Sequence, residues 1–281
     1  MTKIKIVTDS TVQLTDKEIN DLNITIVPLT AMIDNTIYID GVSITKEEFL
    51  TKMNASETLP KTSQPAIGNF IDVYNELGAD GSEILSLHLT EGLSGTVQAA
   101  HQAAGMTTSK VTVIDSKFID RALAFQVIAA ANLALNGASM EEILSKLTTI
   151  RSKSALYICV VNLENLIKGG RIGKTLGRIS TFLNMKIMLG MKDGELYPAT
   201  KGRGMKPMFK YVDHLIEEMQ QAKSVVSIGI SHIGGLEAIQ EAVIDKLKEH
   251  FPNAQFLVEY ASPSIMTHAG PGAFAIMYEV E

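Results

Sequence analysis

Three segments that lie far apart in the chain combine small polar side chains with glycine or proline. They read Lys-Thr-Ser-Gln-Pro at 61–65, Gly-Leu-Ser-Gly-Thr at 92–96 and Thr-His-Ala-Gly-Pro-Gly at 267–272. Hydroxyl, imidazole and main-chain N–H groups on tight backbone are donors that can converge on an anion. The chain has one cysteine, no residues at metal-ligand spacing and no complete nucleotide-binding loop. The sequence therefore favours a protein that holds an acid over one that transforms it.

Ser94 is open to three interpretations. The simplest is that Ser94 or Thr96 caps the helix that follows. The second is an anion site at the start of that helix. The third is a hydrolase nucleophile, with His268 as the base and Asp115 as the orienting carboxylate. The nucleophile elbow needs Gly-x-Ser-x-Gly, whereas Gly95 directly follows Ser94 and a threonine stands where the second glycine should be.

Thr62 and Ser63 stand just before a helix that is expected to open near Ala66. A hydroxyl residue with Pro65 near the first turn is typical of a capped helix start. Either hydroxyl can equally donate a hydrogen bond to a ligand oxygen. The sequence leaves both interpretations open.

The remaining motifs do not support a cofactor. Residues 169–175 read Gly-Gly-Arg-Ile-Gly-Lys-Thr, but a phosphate-binding P-loop requires a glycine where Lys168 stands. The histidines form no pair at metal spacing. Asp9 lacks the second aspartate of phosphotransfer folds, because Thr11 occupies that position. We therefore predict no metal and no cofactor, and a turn-capping role for Asp9.

Positive charge is concentrated in residues 168–210. This stretch holds ten Lys or Arg against two acidic residues, a net charge of +8, in a chain whose total is −6. A solvated basic face is one interpretation. The other is a docking face for an acidic partner or a phosphate, because such patches steer association.

The elements that must position these residues alternate between strands and helices. Short runs rich in Ile, Val and Leu predict strands at residues 5–8, 24–28, 83–89 and 110–114. Capping boxes predict helix starts after Thr15, Thr45 and Ser139. Strands that alternate with helices indicate a parallel sheet whose carboxyl ends carry the functional groups. We expect the loops with Asp9 and Ser94 at that edge.

A change of pattern near residue 155 predicts a second α/β unit. The expected strands of this unit are 157–161, 182–191, 195–200, 225–232, 255–260 and 273–281. Its expected helices are 206–221 and 236–250. Asp193-Gly194 between two strand-like runs is a hairpin signal. We therefore predict an α/β fold of two domains, residues 1–155 and 156–281. The first should contain a parallel sheet and the second a mixed sheet.

Composition narrows the class of protein further. The chain has 281 residues, of which 46% are hydrophobic and 20% charged, which is ordinary globular composition. Its acidic balance argues against a nucleic-acid binder, which is normally basic. Cys159 lies in an apolar run and is expected as a buried strand thiol. The N-terminal residues contain no apolar core of signal-peptide length. The longest apolar stretch, 122–135, is too short to span a bilayer, and we expect a cytoplasmic protein.

Taken together, five motifs in this order along the chain resemble the DegV family. They are Val-Thr-Asp-Ser-Thr at 7–11, Thr-Ser-Gln-Pro at 62–65, Leu-Ser-Gly-Thr at 93–96, Gly-Gly-Arg-Ile at 169–172 and His-Ala-Gly-Pro-Gly at 268–272. The resemblance implies a two-domain α/β protein that binds a long-chain fatty acid, such as palmitate, in a tunnel between its domains. Several members are the fatty-acid-binding subunit of bacterial fatty acid kinase. They present the carboxyl group to a separate ATP-dependent kinase, which makes the acyl phosphate.

The resemblance also implies roles for individual residues. Thr62 and Ser94 would hydrogen-bond the carboxylate, with His268 beside it. The rest of the ligand-binding set would be Ser63, Gly95, Gly270 and Arg171. Two basic residues, Lys201 and Arg203, would face the kinase.

Three functions therefore compete. The first is a fatty-acid carrier without catalytic activity of its own, which touches a membrane only transiently to load its lipid. The second is a lipid or ester hydrolase that uses Ser94 and His268. The third is a regulatory lipid sensor whose surface is the output.

Overall fold

The computed structural model describes residues 3–171 and 185–281. Its strands are β1 (Ile4–Asp9), β2 (Ile24–Val27), β3 (Thr30–Ile33), β4 (Thr36–Ile39), β5 (Lys61–Ser63), β6 (Glu83–His88), β7 (Val111–Asp115), β8 (Ser154–Val160), β9 (Lys186–Lys192), β10 (Glu195–Gly202), β11 (Val225–His232), β12 (Gln255–Tyr260) and β13 (Phe274–Val280). The beginning of the strand expected at 182–191 lies outside the described residues.

Helices connect these strands. They are α1 (Asp16–Asp21), α2 (Lys46–Ala55), α3 (Ile67–Gly78), α4 (Thr96–Ala104), α5 (Asp120–Leu135), α6 (Met140–Lys153), α7 (Glu164–Lys168), α8 (Lys206–Gln220), α9 (Leu236–Ile239), α10 (Lys246–His250) and α11 (Pro263–Ala269), with a π-helical turn at Gln240–Asp245 between α9 and α10. Among the helices of the described ranges, none combines the length and the apolar character needed to cross a membrane.

The N-terminal part contains the parallel sheet that the sequence predicts. Its strand order is β2-β1-β6-β7, and every pairing is parallel. Parallel strands bring their carboxyl ends to one edge. That edge carries Asp9 at the end of β1, the loop with Ser94 after β6, and Asp120 after β7.

The C-terminal part contains a mixed sheet, as predicted. Its order is β10-β9-β8-β13-β11-β12, in which only β11 and β12 pair in parallel. Asp193 and Gly194 form the turn between β9 and β10, so the hairpin prediction is confirmed. Cys159 is fully buried in β8, also as predicted.

A third, small sheet was not predicted. It is antiparallel with the order β4-β3-β5, and Thr62 lies within β5, where it pairs with Ala31. The helix expected to open near Ala66 does so, because Ala66 is the N-cap of α3. Thr62 and Ser63 do not cap it, however, since both belong to the strand β5 that precedes it. The three polar residues of β5 are too few to show the alternating pattern by which strands are recognised.

Local capping signals gave the helix starts correctly. Thr15, Thr45 and Ser139 each form the complete capping box, with the N3 glutamate returning a hydrogen bond to the cap. Helix α11 was missed. Ser262 caps it and Pro263 occupies its first turn, so the Gly- and Pro-rich segment that begins at 267 is the end of a helix rather than a turn alone.

Helix α5 packs between the parallel sheet and the mixed sheet. Its Leu123 and Val127 are fully buried, in the same core cluster as Leu87 of β6, Leu156 of β8 and Met277 of β13. This continuous core explains the long apolar run of the helix. The division at residue 155 stays a prediction.

Candidate functional site

A cavity lies between the two large sheets. Its walls are mainly aliphatic and include Leu89 after β6, Leu156 and Ile158 of β8, Leu189 of β9 and Leu196 of β10. The empty space between these side chains, counted together with the solvent at its mouth, is about 900 Å³. An elongated apolar ligand suits these walls.

The cavity has a polar end built by β5 and α11. Thr62 Oγ1 and His268 Nε2 are hydrogen-bonded at 2.8 Å. The other ring nitrogen, Nδ1, is buried without a hydrogen-bond partner in the described structure. Burial, followed by the positive charge of Arg171, lowers the pKa of His268 to about 4. The imidazole is therefore neutral at pH 7.

Arg171 holds its side chain against the same end. Its Nε donates to the carbonyl oxygen of Leu93 at 3.2 Å, and a terminal nitrogen donates to that of Gly169 at 2.6 Å. The guanidinium is half-buried and lines the cavity. A fixed positive charge at this place favours a ligand whose polar end is an anion.

Ser94 lies on the loop between β6 and α4. Its Oγ is hydrogen-bonded to Thr96 Oγ1 at 2.9 Å and also accepts a bond from the Thr96 backbone N–H at 3.3 Å. Gly95 allows a close approach, because a Cβ there would meet Gln64 Oε1 at 2.1 Å. The N-cap of α4 is Gly95 and makes no side-chain cap bond, so the prediction that Ser94 or Thr96 caps this helix is wrong. Ser94 instead lines the cavity, and its role as an anion site stays a prediction.

Helix α11 is anchored by α7. Asn165 Nδ2 donates to the carbonyl oxygen of Thr267 at 2.9 Å. Gly270 follows the helix with a φ of +79°, a conformation that side chains with a Cβ rarely adopt. A Cβ at this position would also come within 3.1 Å of Asn165. Asn165 and Gly270 therefore position His268 without lining the cavity.

The structure brings together only part of the predicted set. The residues that line the cavity are Thr62, Ser94, Arg171 and His268. Those that lie outside its lining are Ser63, Gly95, Gly270, Lys201 and Arg203. Lys201 and Arg203 are exposed at the end of β10. Of the basic stretch 168–210, residues 172–184 lie outside the described structure.

Sequence reasoning missed several polar lining residues. They are Thr11, Gln64, Asp120, Ser231 and Ser264. Thr11 and Gln64 belong to the motifs at 7–11 and 62–65, so those motifs were a usable signal for them. Asp120, Ser231 and Ser264 carry no local signal, because only the tertiary fold brings them to one cavity.

The hydrolase geometry is not formed by the described residues. Ser94 bonds to Thr96 and His268 bonds to Thr62. The Asp115 carboxylate accepts the backbone N–H of Lys117 at 2.7 Å instead of orienting an imidazole. A nucleophile requires its base within hydrogen-bond reach and an orienting group behind the base.

A Ser–His–Asp relay does occur, but in the core. Asp9 Oδ2 lies 3.1 Å from His88 Nδ1, and His88 Nε2 lies 2.7 Å from Ser86 Oγ. All three residues are fully buried, so none of them can meet a substrate. Asp9 also accepts the backbone N–H of Thr11, which agrees with its predicted turn-capping role.

No metal site emerges from residues 3–171 and 185–281. Within them, no group of three or more His, Cys, Asp or Glu side chains could hold an ion. The polar end of the cavity has hydroxyl, imidazole and guanidinium groups, which suit a carboxylate better than a cation.

The sequence matches one known family along nearly its whole length. The family model described as "Uncharacterised protein, DegV family" matches residues 3–281. A DegV domain-containing protein of Streptococcus pneumoniae is 45% identical over 277 residues, 99% of this chain and 98% of that protein. One of Listeria monocytogenes is 44% identical over 279 residues, 99% of each chain.

Solved structures of the same family have the same fold. A DegV family protein of Thermus thermophilus, described by its fatty acid binding, has a TM-score of 0.90 and 30% identity, with 100% of both chains covered. DegV of Bacillus subtilis, described as a fatty acid binding protein, has a TM-score of 0.92 and 27% identity, again with 100% of both chains covered.

Proposed function

This chain belongs to the DegV family, and on that premise we propose that it binds a long-chain fatty acid in the cavity between its sheets. The resemblance drawn from its motifs is confirmed by the family match and by its relatives. The observation that carries the proposal is a cavity with mainly aliphatic walls and a polar end formed by Thr62, His268 and Arg171.

The aliphatic body would supply most of the affinity. Burial of about 15 methylene or methyl groups at ~0.8 kcal/mol each gives roughly 12 kcal/mol, before the cost of ordering the chain. A hydroxyl–carboxylate hydrogen bond adds about 1.5–3 kcal/mol. The tail would therefore determine how tightly the acid binds, and the polar end would determine its orientation.

The polar end suits a carboxylate. The hydroxyls of Thr62 and Ser94 are neutral donors, and the imidazole of His268 is neutral because burial lowers its pKa. Arg171 supplies the one positive charge in this set of four. Neutral donors would hold the acid while leaving a carboxylate oxygen available to attack a phosphoryl group.

We further propose that the protein presents this carboxylate to an ATP-dependent kinase and has no catalytic activity of its own. Lys201 and Arg203 are exposed at the end of β10, where they would face the kinase. The acyl phosphate would form between the two proteins. Cytoplasmic location and transient membrane contact during lipid loading belong to this proposal.

Mass spectrometry of lipid extracted from the purified protein tests the proposal. A free long-chain acid at one equivalent per chain is the expected result. An acyl group covalently attached to Ser94 would establish the hydrolase instead. A protein that purifies without lipid and does not bind added palmitate would contradict the carrier. If the protein binds the fatty acid but no kinase phosphorylates the bound acid, the result would favour the regulatory lipid sensor.

A further inference from the structure

A second set of polar side chains lines the cavity. Thr11, Asp120, Ser231 and Ser264 all contribute to the lining, and each is at most 5% exposed; we name them the inner wall. Ser264 lies four residues before His268 on α11, about 6 Å along the helix axis. One residue of the inner wall therefore lies a helical turn away from the polar end.

The hydroxyl protons of the inner wall are already used. Ser231 Oγ donates to Asp120 Oδ1 at 2.7 Å, and Thr11 Oγ1 donates to Asp9 Oδ1 at 2.6 Å. Ser264 Oγ likewise donates to Asp40 Oδ2, at 3.5 Å. The inner wall therefore offers the cavity acceptor lone pairs rather than donors.

Asp120 is the strongest of these acceptors. Its carboxyl group accepts the Ser231 hydroxyl at 2.7 Å and a backbone hydrogen bond from Arg121, whereas an ionised carboxylate has about four acceptor sites. Gln13 fixes the pair, because its Nε2 donates to Ser231 Oγ at 2.7 Å. Burial raises the pKa of Asp120 to about 6, so it is ionised at pH 8.

Each of these groups already makes at least one hydrogen bond, but a plain alkyl chain would leave their remaining lone pairs unused. The Asp120 carboxylate loses most, because a buried charge is stabilised by each further hydrogen bond that it accepts. A hydroxyl group on the ligand chain would donate a hydrogen bond to one of these acceptors, and the buried hydroxyl would itself gain a partner. A keto oxygen could not form this hydrogen bond, because it has no proton to donate.

We propose that the inner wall binds a hydroxyl group carried by the chain of the bound acid, so that the preferred ligand is a hydroxylated long-chain fatty acid. This inference rests on the proposed function and narrows its ligand class. Sites built to hydrogen-bond a ligand hydroxyl discriminate strongly against the analogue that lacks it. The selectivity should therefore depend on Asp120 and Ser231.

Binding measurements with delipidated full-length protein at pH 8 test the inference. The ligands are palmitate, a series of monohydroxypalmitates that moves the hydroxyl along the chain, and the keto acid matching each member. We expect one hydroxy acid to bind about tenfold more tightly than palmitate, while its keto analogue shows no gain.

Two variants and a matched control locate the effect. Asp120→Gly removes the carboxyl group and tolerates the φ of +63° at this position, and Ser231→Ala removes the bridging hydroxyl. Both should lose the gain for the hydroxy acid. Ser227→Ala should keep it, because Ser227 is a buried serine on the same side of β11 that does not line the cavity.

The inference is wrong if every hydroxy acid binds no more tightly than palmitate, or if the gain survives in both variants. In the first case the inner wall holds ordered water, and the proposed function stands on palmitate binding alone. If neither palmitate nor any hydroxy acid binds, the inference and the proposed function both fail. The affinities of a hydroxy acid and its keto analogue are compared on the wild-type protein. This comparison therefore tests the inference even if Asp120→Gly does not fold.

Discussion

Thr62 Oγ1 and His268 Nε2 lie 2.8 Å apart although 206 positions separate the two residues in the chain. Thr62 lies on β5, at the edge of the small sheet, and His268 lies on the last turn of α11. The polar end of the cavity therefore forms only when the N-terminal and C-terminal parts are docked. In the proposed complex, a carboxylate would bind where these parts meet, and its binding would stabilise the fold by mass action.

Removing the two hydroxyls should weaken fatty-acid binding. We expect the double variant Thr62→Val with Ser94→Ala to lose roughly 100-fold or more in affinity for palmitate, since each of the two hydrogen bonds to a charged group contributes about 1.5–3 kcal/mol. Titration calorimetry measures the loss. Ser63→Ala is the matched control, because Ser63 is exposed on the same strand and does not line the cavity. An unchanged affinity in the double variant would refute the assignment of the polar end.

His268 should make stability depend on pH. Its folded-state pKa of about 4 lies below the ordinary 6.5, so the unfolded chain binds the proton more readily. Its contribution to the free energy of unfolding is complete above pH 6.5 and is lost as the pH falls through 4. We expect this slope to flatten in His268→Gln, as measured by chemical denaturation at several pH values.

The difference between His268→Gln and the wild type in the pH dependence of the free energy of unfolding isolates the contribution of His268. Asp40 and Asp120 act in the opposite direction, because burial raises their pKa values to about 7 and about 6. Their contributions are lost as the pH rises through those values, and they are common to both proteins. Equal slopes in the two proteins between pH 4 and 6.5 would show that His268 is not shielded from protonation.

Elements with local signals could be predicted from the sequence. The capping boxes at Thr15, Thr45 and Ser139 marked helix starts correctly, because the reciprocal hydrogen bonds involve residues only three positions apart. Strands β11 and β12 matched their predicted bounds, since each is a continuous apolar-rich run. Such signals are independent of the tertiary fold.

The parts that failed depend on distant contacts. Strand β5 exists because β3 pairs with it, and nothing in its three polar residues indicates that partner. The inner wall depends on the Ser231–Asp120 bond, which spans 111 positions. One sequence without its relatives does not show which distant residues meet.

Gly169 should be essential for the position of His268. A Cβ at residue 169 would come within 2.4 Å of His268 Nδ1 and 2.8 Å of the carbonyl oxygen of Asn165. We expect Gly169→Ala to displace the imidazole, break its bond to Thr62 and weaken palmitate binding severalfold while the chain stays folded. The imidazole NMR signals of His268 would report the displacement.

The control for this variant is Gly68→Ala on α3. A Cβ at residue 68 meets nothing within 4 Å, and alanine is favoured over glycine in a helix by about 1 kcal/mol. Gly68→Ala should therefore keep full affinity and gain slightly in thermal stability. If Gly169→Ala also binds palmitate normally, the space around His268 is adaptable and the imidazole does not need its present position.

Arg203 should matter for presentation of the lipid rather than for holding it. The residue is exposed beside Gly202 and Gly204 at the end of β10, outside the cavity lining. Exposed charges mainly tune the rate of encounter with a partner and its dependence on salt. We expect Arg203→Ala to retain its bound fatty acid but to slow acyl-phosphate formation by a cognate kinase, with the defect narrowing at high salt as the wild type also slows.

Two comparisons make this last prediction specific to the partner-facing surface. Arg171→Ala should lose bound lipid, because Arg171 lines the polar end of the cavity. Lys110→Ala should change neither lipid content nor kinase rate, since this exposed lysine immediately precedes β7, at the sheet edge opposite the cavity. If Arg203→Ala instead loses its lipid while the kinase rate per bound lipid stays normal, Arg203 acts on the ligand and the docking surface lies elsewhere.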